Sequence, residues 1–161
     1  MTRFRAPLAT GAAVAVMMVS LVAGAGPATA ASPGASCARH ERVSTSITGI
    51  TENKTGLTLK RTYLEKGVLN TWGDEPAWLI AAHKDDGWCS YADVFGTAMK
   101  VVYDIGNGSQ ATFEAWRYRE GPVGSRCSVE GPEAVAYRCT THITDTNTRR
   151  IHVWFALRPI R

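Results

Sequence analysis

From about residue 44 onward the chain alternates apolar and polar residues in pairs, and hardly anywhere follows the spacing of a helix. The last segment shows this most clearly. Ile151, Val153, Phe155 and Leu157 fall on one side, and His152, Trp154 and Ala156 on the other. In an extended strand successive side chains point to opposite faces, so such a segment lays one face on a core. No long stretch keeps apolar residues at i, i+3, i+4 and i+7. The chain is therefore confined to sheets.

Strands are expected over residues 44–51 and 55–64, joined by Glu52-Asn53-Lys54. In the second, Leu57, Leu59 and Arg61 share a face opposite Thr58, Lys60 and Thr62. Residues 67–73 read as a turn. The apolar run 77–83 after Pro76 suits a central strand, and Asp85-Asp86-Gly87 reads as a turn. Val101, Tyr103 and Ile105, then Ala111, Phe113 and Ala115, flank Gly106-Asn107-Gly108, a hairpin signal. Residues 121–125 break the chain, and a final strand pair covers 135–144 and 150–157. Short strands with frequent turns predict an all-β fold: a single-domain antiparallel β-sandwich over residues 44–161.

The beginning of the chain sets the compartment expected for that domain. Arg3 and Arg5 precede an uncharged stretch, residues 6–30, that ends in Ala28-Thr29-Ala30. A positive start, a short apolar centre and an A-x-A site make a secretory signal over residues 1–30. A spanning helix needs about 20 apolar residues, and this centre is shorter and glycine-rich. The expected product is secreted and extracellular. Its residues 31–43 are expected to form a flexible N-terminus that opens on a small-residue leader, residues 31–36. Without residues 1–30 the charge falls from +4 to +2, with 16 basic and 14 acidic residues. That balance gives no electrostatic case for nucleic acid. Lys60-Arg61 and Arg149-Arg150 read as solvated strand or turn residues.

All four cysteines, Cys37, Cys89, Cys127 and Cys139, lie beyond residue 30. An even count in an exported chain favours two disulfides. Of the three possible pairings, Cys127–Cys139 with Cys37–Cys89 is preferred. The first closes a short loop and the second pins this N-terminus to the domain. No C-x-x-C and no clustered histidine suggests a metal site, and no cofactor is expected.

No catalytic constellation stands out. His142 and His152 could face one another across the last two strands, but no residue spacing marks a partner for them. His40 and His83 are scattered. Asp85, Asp86 and Asp93 lack the ligand spacing of a calcium loop. There is no G-x-S-x-G and no paired-carboxylate pattern. Asn53-Lys54-Thr55 and Asn107-Gly108-Ser109 match the short glycosylation pattern. The chain reads as non-enzymatic. Its tryptophans are more informative. Trp78 lies in an apolar run and reads as core, whereas Trp72 and Trp88 lie near turns. Trp116, Tyr118 and Trp154 fall opposite the aliphatic faces and form either a second core layer or a recognition surface.

A series of short motifs runs from Asn53-Lys54-Thr55-Gly56-Leu57-Thr58-Leu59 through Leu64, Gly67, Trp72, Pro76 and Ile80. It continues with Gly96-Thr97, Val101-Val102-Tyr103-Asp104, Gly106-Asn107, the strand 113–116, Pro122-Val123-Gly124-Ser125 and the apolar last strand. In this order of features the stretch 50–157 bears a resemblance to the actinoporin-like and aegerolysin-type group of small secreted β-sandwich proteins. The resemblance implies binding of a lipid headgroup or glycan near the loop after Trp116, at Trp116, Tyr118 and Pro122. Two departures count against pore formation. The stretch 31–43 is short and polar and carries Cys37, where cytolytic members insert an amphipathic helix. Ser125-Arg126-Cys127 also replaces the aromatic cluster expected after the proline.

The function expected from these readings is recognition of a membrane surface, lipid headgroup or glycan, with Trp116, Tyr118, Pro122 and Trp154 as ligand-binding residues. The alternative is an extracellular protein-binding module such as an enzyme inhibitor. That module would present Glu130-Gly131-Pro132-Glu133 on the loop between Cys127 and Cys139.

Overall fold

The computed structural model describes residues 45–65, 71–92, 94–146 and 149–160. The expected signal, residues 31–43 with Cys37 and His40, the first part of the turn at 67–73, and Asp93 lie outside the described residues.

Ten strands follow in order: β1 (Thr45–Asn53), β2 (Leu59–Leu64), β3 (Thr71–Asp74), β4 (Leu79–Ile80) and β5 (Asp85–Ala92), then β6 (Gly96–Gly106), β7 (Ser109–Tyr118), β8 (Val123–Glu130), β9 (Tyr137–Thr146) and β10 (Arg150–Pro159). They form two five-stranded sheets, ordered β3-β5-β1-β10-β9 and β4-β2-β6-β7-β8. The all-β sandwich is thus present. All described pairings are antiparallel except one: β1 runs parallel to β10 in the middle of the first sheet. A parallel pair needs a long crossover, and here the whole second sheet lies between its two strands in the sequence.

The alternation works as expected in the hairpin and the last strand. Val101, Tyr103, Ile105, Ala111, Phe113 and Ala115 point into the core from the second sheet, and Ile151, Val153, Phe155 and Leu157 from the first. Asn107, with φ of 52°, sits between Gly106 and Gly108, which also have positive φ. A row of rings crosses the interior. Trp72 meets Trp88 edge-on, Trp88 stacks on Phe155, Phe155 touches Phe113, and Phe113 meets Tyr103, with centroids 5.3–6.2 Å apart.

Several strand and turn expectations fail. The run 77–83 is not a central strand. Only Leu79–Ile80 pair, at a sheet edge, and Trp78 is 56% exposed rather than core. Trp88, expected near a turn, is fully buried instead. Asp85-Asp86-Gly87 begins β5 rather than turning, and the turn lies just before it, where His83 has φ of 58°. Residues 55–58 form the bend after β1 rather than the start of β2, so Leu57 is exposed while Leu59 is buried. Part of the break expected at 121–125 is strand, since β8 starts at Val123.

The crossover from β3 to β4 explains the first failure. Asp86 accepts the Ala77 N–H at 2.8 Å, and the Tyr103 hydroxyl donates to the Ala77 carbonyl at 3.0 Å. Arg61 donates to the Pro76 carbonyl, pairs with Glu75 at 3.5 Å and lies over the Trp78 ring at 5.8 Å. Side chains thus satisfy the Pro76 and Ala77 backbone groups, and β2 adds one bond, from the Arg61 backbone N–H to the Trp78 carbonyl at 2.9 Å. Burial pushes the Asp86 carboxyl above its ordinary range, against the opposing pull of the Ala77 N–H and Arg61.

One disulfide, Cys127–Cys139, joins two described cysteines, with Cα atoms 5.6 Å apart. It ties β8 to β9, the edge strands on one side of the sandwich, and a Thr141–Ser125 hydroxyl bond of 2.6 Å reinforces the seam. The expected Cys37–Cys89 bond involves Cys37, outside the described residues, so the second of the two expected disulfides is not described. Cys89 is buried on β5, and no described cysteine is free.

Candidate functional site

Two loops meet at one end of the sandwich. β5 ends at Ala92, beside the start of β1, and leads to β6 through Val94 and Phe95. β7 ends at Tyr118, paired with Gly96, and turns through Arg119, Glu120, Gly121 and Pro122 into β8. Backbone bonds tie the loops together. The Arg119 N–H donates to the Phe95 carbonyl at 3.1 Å, and the Tyr118 N–H to the Pro122 carbonyl at 3.4 Å. Gly96 makes the approach possible. It has φ of 111°, and a Cβ there would lie 2.4 Å from the Arg117 carbonyl and 2.5 Å from the Tyr118 Cα.

This junction turns apolar side chains outward. Phe95 is 66% exposed, Val94 53% and Tyr118 43%, with Val123 close by at the start of β8. Val94, Phe95, Tyr118, Arg119, Glu120 and Gly121 line an open groove of about 360 Å³. The hydrophobic effect favours removing such side chains from water, so an apolar tip on a folded domain marks a contact surface. The basic Arg119 stands within it.

Of the four expected ligand-binding residues, Tyr118 and Pro122 belong to this tip. Trp116 lies two residues back on the outer face of the second sheet, its ring over Gly124, where a Cβ would come within 2.4 Å of it. Trp154 is elsewhere. It is on the outer face of the first sheet, 40% exposed, opposite His142. There it lines a shallow groove of about 190 Å³ with Thr140, Thr141, His142, Thr144 and Ala156. The structure therefore splits the four residues between two surfaces. Val94 and Phe95, the most exposed of the large apolar side chains at the tip, escaped the sequence reading because two apolar residues between Asp93 and Gly96 carry no periodicity. The only available signal was their position just before a glycine.

The histidines do not face one another. A bulge between His152 and Val153 shifts the register, so His152 stands opposite Asp145 and His142 opposite Trp154. Among the described residues no group of three or more His, Cys, Asp or Glu could hold a metal ion. The loop expected to present Glu130-Gly131-Pro132-Glu133 is tied to the β6–β7 hairpin instead of projecting. Glu133 takes a 2.7 Å bond from Asn107, and its N–H donates to the Ser109 hydroxyl at 2.9 Å. Asn53, in one of the two glycosylation patterns, is fully buried. Its Nδ2 donates to the carbonyls of Leu57, Ile80 and Ala81 at 2.7–3.1 Å, and its Oδ1 accepts from Thr55.

No protein-family model matches the chain, and no curated protein matches it either. Among solved structures it is similar to the lipid-binding protein Nakanori, with 10% identity, a TM-score of 0.62, and coverage of 76% of this chain and 75% of that one. It is also similar to the RahU protein, solved in complex with a Tris molecule, at 16% identity and a TM-score of 0.54, over 73% of this chain and 96% of that one. At these identities the likeness is one of fold, and the fold this chain shares with them is a β-sandwich.

Proposed function

We propose that this protein is an exported, non-enzymatic binding protein that docks on a lipid membrane surface through the tip formed by Val94, Phe95 and Tyr118. The observation that carries the reading is the outward turn of these three side chains, from two loops bonded to each other, around a groove that includes Arg119. Each part suits an interface. Phe95 and Val94 can enter the acyl boundary, where their apolar area leaves water. The Tyr118 ring has an apolar body and a polar tip, the combination favoured at headgroup depth. Arg119 supplies charge for lipid phosphate. A solved protein of similar fold that is described as lipid-binding supports the reading.

Co-sedimentation with phosphatidylcholine–phosphatidylserine vesicles tests it. Wild-type protein is expected in the pellet, with blue-shifted tryptophan emission only if Trp116 reaches the interface. Phe95→Ala and Tyr118→Ala are each expected to weaken partitioning about tenfold, the loss of one buried aromatic, with unchanged thermal stability. Trp154→Ala is expected to partition like wild type. Equal partitioning of Phe95→Ala and wild type would overturn the reading. A loss confined to Trp154→Ala would move recognition to the threonine-lined groove and to a glycan.

A further inference from the structure

We propose that the outer face of the first sheet carries a second binding site, for a phosphate or sulfate ester, built on Arg138 and Arg158. The two residues stand directly opposite each other on β9 and β10. Lys54 follows β1 on the other side of β10, its N–H bonded to the Leu157 carbonyl at 2.8 Å. Three adjacent chain segments thus bring one cation each to the same level. Together with Pro159 and Ile160 they line an open groove of about 610 Å³.

Charge makes this arrangement unusual. Lys54 is paired with Glu52 at 2.6 Å. Arg138 and Arg158 have no carboxylate within ion-pair distance among the described residues. Like charges directly opposite on neighbouring strands repel. The second sheet shows how the same fold treats the same problem elsewhere. There Lys100 and Arg126 flank Glu114, which holds them at 3.3 Å and 2.7 Å. Among the described residues no acid stands between Arg138 and Arg158 in the register of β9 and β10, which pairs them directly. Two guanidinium forks side by side match the oxygens of a tetrahedral oxyanion, which would hydrogen-bond both and cancel their repulsion.

The groove and the apolar tip lie at opposite ends of the strands. A strand of ten residues such as β10 spans about 33 Å, several times the screening length of about 8 Å in physiological salt. Headgroups beneath a docked tip do not reach the groove. That its ligand is a soluble ester rests on the docked tip; the site itself rests on the paired arginines and the groove, and stands without the membrane reading.

The test compares wild-type, Arg138→Gln, Arg158→Gln and Arg126→Gln proteins by calorimetric titration with inorganic phosphate and with a sulfated disaccharide, at constant ionic strength. Saturable binding is expected in wild type and Arg126→Gln, at least tenfold weaker in the other two. Melting curves add a readout of the repulsion. Without phosphate, Arg158→Gln is expected to melt no lower than wild type, and added phosphate to raise the melting temperature of wild type but not of Arg158→Gln. Binding unaffected by Arg138→Gln and Arg158→Gln would overturn the proposal, as would equal weakening by Arg126→Gln. Binding to anionic vesicles alone, lost with Arg158→Gln, would overturn the soluble ligand.

Discussion

Gly49 decides where the largest core side chain goes. It stands opposite Trp88 across β1 and β5, and a Cβ at that position would fall 2.0–2.4 Å from the indole. The missing side chain lets the ring lie against the first sheet, where its Nε1 donates to the Thr51 hydroxyl at 3.0 Å. Gly49→Ala must displace the ring, and overpacking of this kind costs about 1–3 kcal/mol. Urea denaturation is expected to show that loss, with lowered near-ultraviolet dichroism from Trp88. This pairing was not legible beforehand. Trp78 sits in an apolar run and looked like core, and Trp88 sits beside Gly87 and Asp86 and looked like turn. Which indole is buried depends on a glycine from a distant part of the chain, so local pattern could not choose. The same holds for Asn53, whose short glycosylation pattern hides an amide that organises three backbone carbonyls in the interior.

At the scale of elements, the crossover between β3 and β4 is held by charge and hydrogen bonding more than by apolar contact. Asp86 is its anchor, and its raised pKa gives a sign for the pH dependence. The folded-state value lies above the ordinary 3.8, so this group's contribution is fully present below that value and is lost as pH rises through the folded pKa. Asp86→Asn keeps an acceptor for the Ala77 N–H and removes the buried charge. The stability of Asp86→Asn relative to wild type is therefore expected to increase from acid to neutral pH, read from urea midpoints across that range. A flat difference would show that Asp86 titrates as it does in the unfolded chain. The strands themselves were legible where alternation was long and bounded by glycine, as in β6, β7 and β10. They were misplaced where an apolar run met an edge, as at Leu79–Ile80, because an edge strand and a central one can share the same composition.

Across the whole molecule, the sandwich is fastened along one side by the Cys127–Cys139 bond between edge strands of different sheets. Cross-linking two sheets restricts the unfolded chain, with a typical effect of about 2–4 kcal/mol. Replacing both cysteines with serine is expected to lower the urea midpoint by that order without abolishing the fold, since the two half-cystines only flank the fully buried core cluster. The two ends of the sandwich differ in character. One presents Phe95, Val94 and Tyr118, and the other presents Arg138, Arg158 and Lys54. By itself the sequence determined the all-β class, the inward faces of the long strands and the preference for pairing Cys127 with Cys139. Those features follow from local alternation and from cysteines close along the chain. Only the tertiary structure decided that β1 lies parallel to β10, which tryptophan fills the core, and that Trp154 sits apart from Tyr118. It alone brought Phe95 to Tyr118 and Arg138 to Arg158. Such meetings depend on strand order and register, which are set by how whole faces pack and leave no mark on the residues between them.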